Sequence, residues 1–187
     1  ISKTFEIDKI LPLIEHGHRD YGENKVQEAL EKWTEIKKIN SKIRLHMVGK
    51  LQTNKVKFAV KIFDYIHSVD NEKLARKIAD EQNKIKKKIK IFLQVNIGDE
   101  NQKSGINKNE VGKLVSFSKE IGLNVIGLMC IPPVNIDPEN YFLEMNQLNS
   151  ALGFKELSMG MSSDYLTAIK YLSTYVRIGS SIFGQRS

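Results

Sequence analysis

Leu157-Ser158-Met159-Gly160-Met161-Ser162-Ser163-Asp164 is followed, one helix-length later, by Val176-Arg177-Ile178-Gly179-Ser180-Ser181-Ile182-Phe183-Gly184. Each stretch is an apolar strand that breaks into small residues and hydroxyls. Small residues let backbone N–H groups come close to a ligand, and hydroxyls add donors. Two such loops side by side make a phosphate cradle. A helix over 164–172 joins them, so the pair reads as a strand–helix–strand unit.

The same alternation runs back through the chain. Strands are expected at 1–3, 19–21, 44–48, 64–68, 90–97, 125–131, about Leu157, and 175–179. Helices are expected at 7–15, 26–36, 54–61, 72–84, 110–121, 138–152 and 164–172. The helix over 72–84 carries Leu74, Ala75, Ile78 and Ala79 on one face. The strand over 90–97 alternates little and reads as buried. Pro132-Pro133 forbids helix and marks a rigid loop. Eight strands with seven helices between them imply a parallel sheet clothed by helices, a single (β/α)₈ TIM barrel over residues 1–187. The eighth helix is expected to be missing after the last strand. Ile1-Ser2-Lys3-Thr4 reads as the middle of an element, so an upstream helix and most of the first strand are expected to precede it.

Size and composition fit this. The chain has 187 residues, 41% of them apolar, enough for one full core. It has no apolar run long enough to span a membrane. Cys130 is the only cysteine, so no internal disulfide forms, which suits a reducing cytoplasm. Within Gly127-Leu128-Met129-Cys130-Ile131 it reads as a buried strand residue rather than a nucleophile. The net charge of +7 permits an anionic partner. The one dense basic run, 84–90, sits at a helix C-terminus where cations are favoured, and no aromatics interleave with it. It reads as a solvated helix end and not as a nucleic-acid surface.

In a barrel, function lies at the C-terminal ends of the strands. That rule gathers Lys3, the loop with Asn24, the loop 49–55, His67-Ser68, Asn96, and the two glycine/serine loops. A phosphate is often held between the last two loops of such a fold. Closure of the barrel puts Lys3 on the neighbouring wall. A partly desolvated lysine there can form a Schiff base with an aldehyde, and pyridoxal 5′-phosphate (PLP) carries both aldehyde and phosphate. From position alone Lys3 reads first as a surface lysine near a terminus. Arg177 reads either as a structural arginine bonding loop carbonyls or as a group facing the cofactor's pyridine nitrogen. A guanidinium gives that nitrogen no proton, so the ring would remain a weaker electron sink. His16, His18, His46 and His67 have no metal spacing, and His46 and His67 read as core or rim residues.

These motifs resemble those of the pyridoxal phosphate homeostasis protein family. The resemblance rests on Ser2-Lys3-Thr4, on Tyr21-Gly22-Glu23-Asn24-Lys25-Val26-Gln27-Glu28, and on His46-Met47-Val48-Gly49-Lys50-Leu51-Gln52-Thr53-Asn54-Lys55. It continues in His67-Ser68-Val69-Asp70, Gln94-Val95-Asn96, Lys103-Ser104-Gly105 and 127–132, and ends in the two C-terminal loops. It implies a barrel like the N-terminal domain of alanine racemase and a protein of vitamin B6 balance, with no established reaction. It implies that PLP is held as a Schiff base on Lys3, with Ser162, Gly179 and Ser180 at its phosphate. Arg177 would face the ring nitrogen, and Asn24 would lie near the cofactor. Amino acids or PLP-requiring apoenzymes are the partners implied, and a monomer is expected. The segment between Pro133 and Leu157 is short for the family, which bears on the sixth helix. The rival reading is a racemase-like enzyme. Alanine racemases draw a second base from an extra C-terminal domain of a partner subunit, and this chain ends at Ser187.

Overall fold

The computed structural model describes residues 1–100 and 104–184. Seven strands form one parallel sheet in sequence order: β1 (Asp20–Glu23), β2 (Arg44–Met47), β3 (Tyr65–Val69), β4 (Lys90–Val95), β5 (Asn124–Cys130), β6 (Glu156–Met161) and β7 (Tyr175–Arg177). Helices α1 (Ile7–Glu15), α2 (Val26–Ile39), α3 (Val56–Ile62), α4 (Glu72–Lys84), α5 (Val111–Glu120), α6 (Glu139–Ala151) and α7 (Tyr165–Lys170) alternate with them, and a one-turn α8 (Ser180–Phe183) follows β7. This is the α/β barrel expected from the alternation, with two corrections. Residues 1–3 make no strand, so the sheet has seven strands rather than eight. And a short helix does follow the last strand.

Residues 1 and 2 nevertheless stand between the two ends of the sheet. Ser2 N–H donates to Gly22 O at 3.0 Å, and the Ile1 nitrogen donates to Ile178 O. Residues 1 and 2 thus bridge β1 to the chain beyond β7, but two residues are too few to build a ladder. Gly22 makes room for them: a Cβ there would stand 2.4 Å from Ile1 Cδ1.

Strand alternation divides the molecule into two cores. Outward residues such as Ile66, Ile91 and Leu93 pack on the helices together with Trp33, Phe63, Ile78 and Phe142. Inward, a small cluster of Tyr65, Phe92 and Met129 lies inside the barrel, with Tyr175 against it. The helix α4 falls where the sequence pattern puts it because its ends are marked. Asn71 caps it by accepting Leu74 N–H at 2.9 Å, Glu72 lies in the first turn and Lys84 in the last. Helix α6 is a full thirteen residues and buries Phe142 and Met145, so the short segment after Pro133 still supplies its unit. The basic run beyond α4 is not wholly solvated. Lys87 Nζ donates to Phe63 O at 2.7 Å and lies 3.6 Å from Asp64, and burial pulls its pKa down.

Candidate functional site

A cavity of about 580 Å³ opens at the C-terminal ends of the strands, a size typical of small-molecule sites. Lys3, Asn24, Ser162, Arg177, Gly179 and Ser180 all line it. So do Lys50, Gln94, Asn96 and Ser104.

Lys3 is presented by neighbours that are pinned on both sides. Ser2 is fully buried, and its hydroxyl donates to Glu23 Oε1 at 2.7 Å. The same oxygen accepts from Trp33 Nε1 at 3.0 Å and Lys32 Nζ at 3.1 Å. Lys32 also donates to Ser2 O at 3.0 Å. Beyond Lys3, Thr4 N–H donates to Glu28 Oε1 at 2.6 Å, and Lys32 pairs with Glu28 at 3.1 Å. Thr4 sits at φ 66°, the left-handed turn that carries the chain away from the cavity. Glu23 and Glu28 belong to one motif, and both serve the residues that flank Lys3.

The two glycine/serine loops are tied to each other. Gly179 N–H donates to Ser162 Oγ at 3.2 Å. Asp164 Oδ1 accepts Met161 N–H at 2.5 Å and holds the turn after β6. Gly160 is required there: its φ is 91°, and a Cβ would lie 2.6 Å from Ala168 Cβ. In α8 the hydrogen bonds begin at Ile182 N–H, which donates to Gly179 O at 2.9 Å. The two earlier N–H groups, of Ser180 and Ser181, have no acceptor within the helix.

Arg177 is buried at the end of β7. Nη1 donates to Ser158 Oγ at 2.9 Å and Nη2 to Cys130 O at 2.8 Å. Both of its sequence readings therefore keep a footing: it bonds a carbonyl, and it faces the cavity. Below it, inside the barrel, His67 Nδ1 meets Ser158 Oγ at 2.9 Å, and His67 Nε2 meets His46 Nδ1 at 3.0 Å. His46 Nε2 meets Asp20 Oδ1 at 3.0 Å. Burial lowers the pKa of both imidazoles, His67 the more. Burial tends to raise that of Asp20, but hydrogen bonds from His46 and Arg44 outweigh it and bring the carboxyl down to about 2. His46 and His67 are core residues, as read. Cys130 is buried too, its thiol pushed up to about 12 by desolvation.

Sequence reasoning missed Glu23, Lys32, Trp33 and Ser158. For Glu23 and Ser158 the signal available was a charged or hydroxyl residue inside a strand, the same signal that singled out Arg177; Lys32 and Trp33, on α2, carried no such signal. From the motif 103–105, Lys103 lies outside the described residues. Ser104 lines the cavity, and Gly105 N–H donates to Asp70 Oδ2 at 3.3 Å.

The fold is of the alanine racemase N-terminal domain class, and that domain family matches residues 2–187. The pyridoxal phosphate homeostasis protein of Pasteurella multocida is 36% identical over 197 residues, spanning all of this chain and 84% of that protein. PipY of Synechococcus elongatus, solved without PLP, superposes with a TM-score of 0.91 at 32% identity, over 98% of this chain and 90% of that one. The same protein with PLP bound superposes at 0.86 with 31% identity, over the same shares. This chain belongs to the pyridoxal phosphate homeostasis protein family.

Proposed function

We propose that this chain, a single barrel domain over 1–187, binds pyridoxal 5′-phosphate at the mouth and serves vitamin B6 balance in the cytoplasm without catalysing a reaction of its own. The observation that carries the reading is the convergence of three unlike groups in one cavity. Lys3 offers an amine to the aldehyde. The loops after β6 and β7 offer hydroxyls of Ser162 and Ser180 and the N–H groups at the start of α8 to the phosphate. Arg177, already fixed by Ser158 and Cys130, stands for the ring nitrogen. Asn24 stands at the rim, against Gly49, where a Cβ would meet Asn24 O at 2.5 Å. This donor set suits an aldehyde-bearing aromatic phosphate, and the cavity volume suits its size.

When bound, PLP supplies an electron sink for amine chemistry. The residues here restrain it. Arg177 donates hydrogen bonds but gives up no proton, so a ring nitrogen facing it would stay unprotonated. The ionisable side chains lining the cavity, among the described residues, are Lys3, Lys50 and Arg177. No histidine, tyrosine, cysteine or carboxylate stands among them to act as a second base opposite Lys3. That favours holding and releasing the cofactor over racemisation. Exchange with amines or amino acids would free it for PLP-requiring apoenzymes, with the chain acting as a monomer.

The test is a spectrum of the purified chain with PLP, before and after borohydride, with the adduct located by mass spectrometry. A borohydride-trapped adduct on Lys3, lost in Lys3→Ala, is expected. Unchanged trapping in Lys3→Ala would sink the assignment. Solvent deuterium exchange at the α-carbon of amino acids, with inversion, would overturn the non-catalytic reading.

A further inference from the structure

The barrel interior of this chain holds a continuous polar chain that leads from its N-terminal end to the cavity. It runs Asp20–His46–His67–Ser158–Arg177, with successive contacts of 3.0, 3.0, 2.9 and 2.9 Å. Its direction follows from the chemistry of its ends. A guanidinium only donates, so Ser158 Oγ accepts from Arg177. A carboxylate only accepts, so His46 must present Nε2–H to Asp20. With both imidazoles neutral, His46 Nδ1 is then an acceptor, and His67 must carry its hydrogen on Nε2. His67 Nδ1 is left as an acceptor for the Ser158 hydroxyl. The opposite polarity sets a lone pair of His46 against the Asp20 carboxylate.

The rings cannot easily turn out of this chain. His46 stacks on Tyr65 with centroids 4.2 Å apart and 15° between planes, and His67 stacks on Phe92 at 4.3 Å and 22°. Tyr175 closes the side, 6.0 Å from His67 and 5.1 Å from Phe92. At the outer end, Arg44 Nη2 donates to Asp20 Oδ2 at 2.5 Å and anchors the carboxylate.

We propose that Asp20, His46, His67 and Ser158 are positioning residues for Arg177, acting as a hydrogen-bonded strut of one polarity that spans the barrel and holds the guanidinium to the cavity. The strut ends on a group that accepts nothing, so it moves no proton into the cavity; it sets orientation. The consequence for the cofactor rests on the PLP reading above, whereas the polarity of the strut does not.

Two measurements on the same chain separate these. Nitrogen-15 NMR of the chain without PLP is expected to find His46 and His67 both neutral with hydrogen on Nε2, and Arg177 with slow guanidinium rotation. A hydrogen on Nδ1 of either neutral ring overturns the strut. His67→Phe keeps the stack on Phe92 and removes the link. Arg177 rotation is expected to quicken, and PLP to bind roughly tenfold more weakly, the equivalent of one lost hydrogen bond to a charged group. Unchanged rotation and unchanged affinity overturn the strut. Should His67→Phe fail to fold in thermal melts, Ser158→Ala breaks the chain one link nearer the cavity and is read in the same way. Wild-type chain with the NMR signature intact but no PLP binding supports the strut and refutes the cofactor.

Discussion

Glu23→Gln tests how the cavity holds its lysine. Glu23 is fully buried, and its Oε1 gathers Ser2 Oγ, Trp33 Nε1 and Lys32 Nζ within 3.1 Å. Glutamine keeps the shape and an accepting oxygen, so Trp33 and Ser2 retain a partner. What goes is the charge facing Lys32, whose side chain is only 9% exposed. A hydrogen bond to a charged group is worth about 1.5–3 kcal/mol, and removing one partner of a buried ion pair costs about 3–5 kcal/mol. Glu28 still pairs with Lys32, which brings the expected loss to about 2 kcal/mol. The assay is urea unfolding followed by fluorescence of Trp33, the chain's only tryptophan and itself packed on the mutated group. Lys3 follows directly on Ser2, so borohydride-trapped PLP is expected to fall in the same variant. A variant within about 0.5 kcal/mol of wild type, trapping PLP normally, refutes the claim that Glu23 presents Lys3.

Stability is expected to fall with acid before any carboxylate titrates. Burial holds His67 well below its usual pKa, so between the two values the unfolded chain binds a proton that the folded one does not. The contribution is complete above the ordinary histidine range, about pH 6.5, and is lost as pH falls from 7.5 towards 5.5; His46 adds in the same direction. Urea midpoints that do not move between those pH values contradict neutral buried imidazoles. The Asp20 carboxyl, depressed to about 2, adds stability that is lost only below its ordinary range. Gly127→Ala is expected to part β5 from β6, since a Cβ would lie 1.8 Å from Glu156 O; a loss of about 3 kcal/mol in thermal or urea unfolding is the expected size, and a silent substitution would contradict the register. Cys130 in the folded chain is expected to resist a disulfide reagent at pH 8, and to react once urea unfolds the protein; rapid reaction in the native state would contradict its burial.

The alternation of apolar runs and amphipathic stretches was enough to read the barrel, because each unit marks itself locally. Asn71 and Lys84 bound α4, and Pro132-Pro133 separates β5 from α6. The cavity was legible for the same reason: a strand-end rule plus two loops rich in glycine and serine. What escaped depends on closure. Ser158 and Arg177 face each other only once β6 and β7 pair, and Glu23 meets Lys32 and Trp33 only once α2 folds back over β1. Lys87 was read as solvated, since its acceptors, Phe63 O, Lys61 O and Asp64, come from the end of α3 and the start of β3, more than twenty residues away.

The bridge from Ile1 to Ile178 joins positions 177 apart in the sequence. Contacts so far apart in sequence form late. A nascent chain on the ribosome has Lys3 long before it has Ser180. The full lining of the cavity, from Lys3 to Ser180, therefore exists only once the last strand has been made and the barrel has shut.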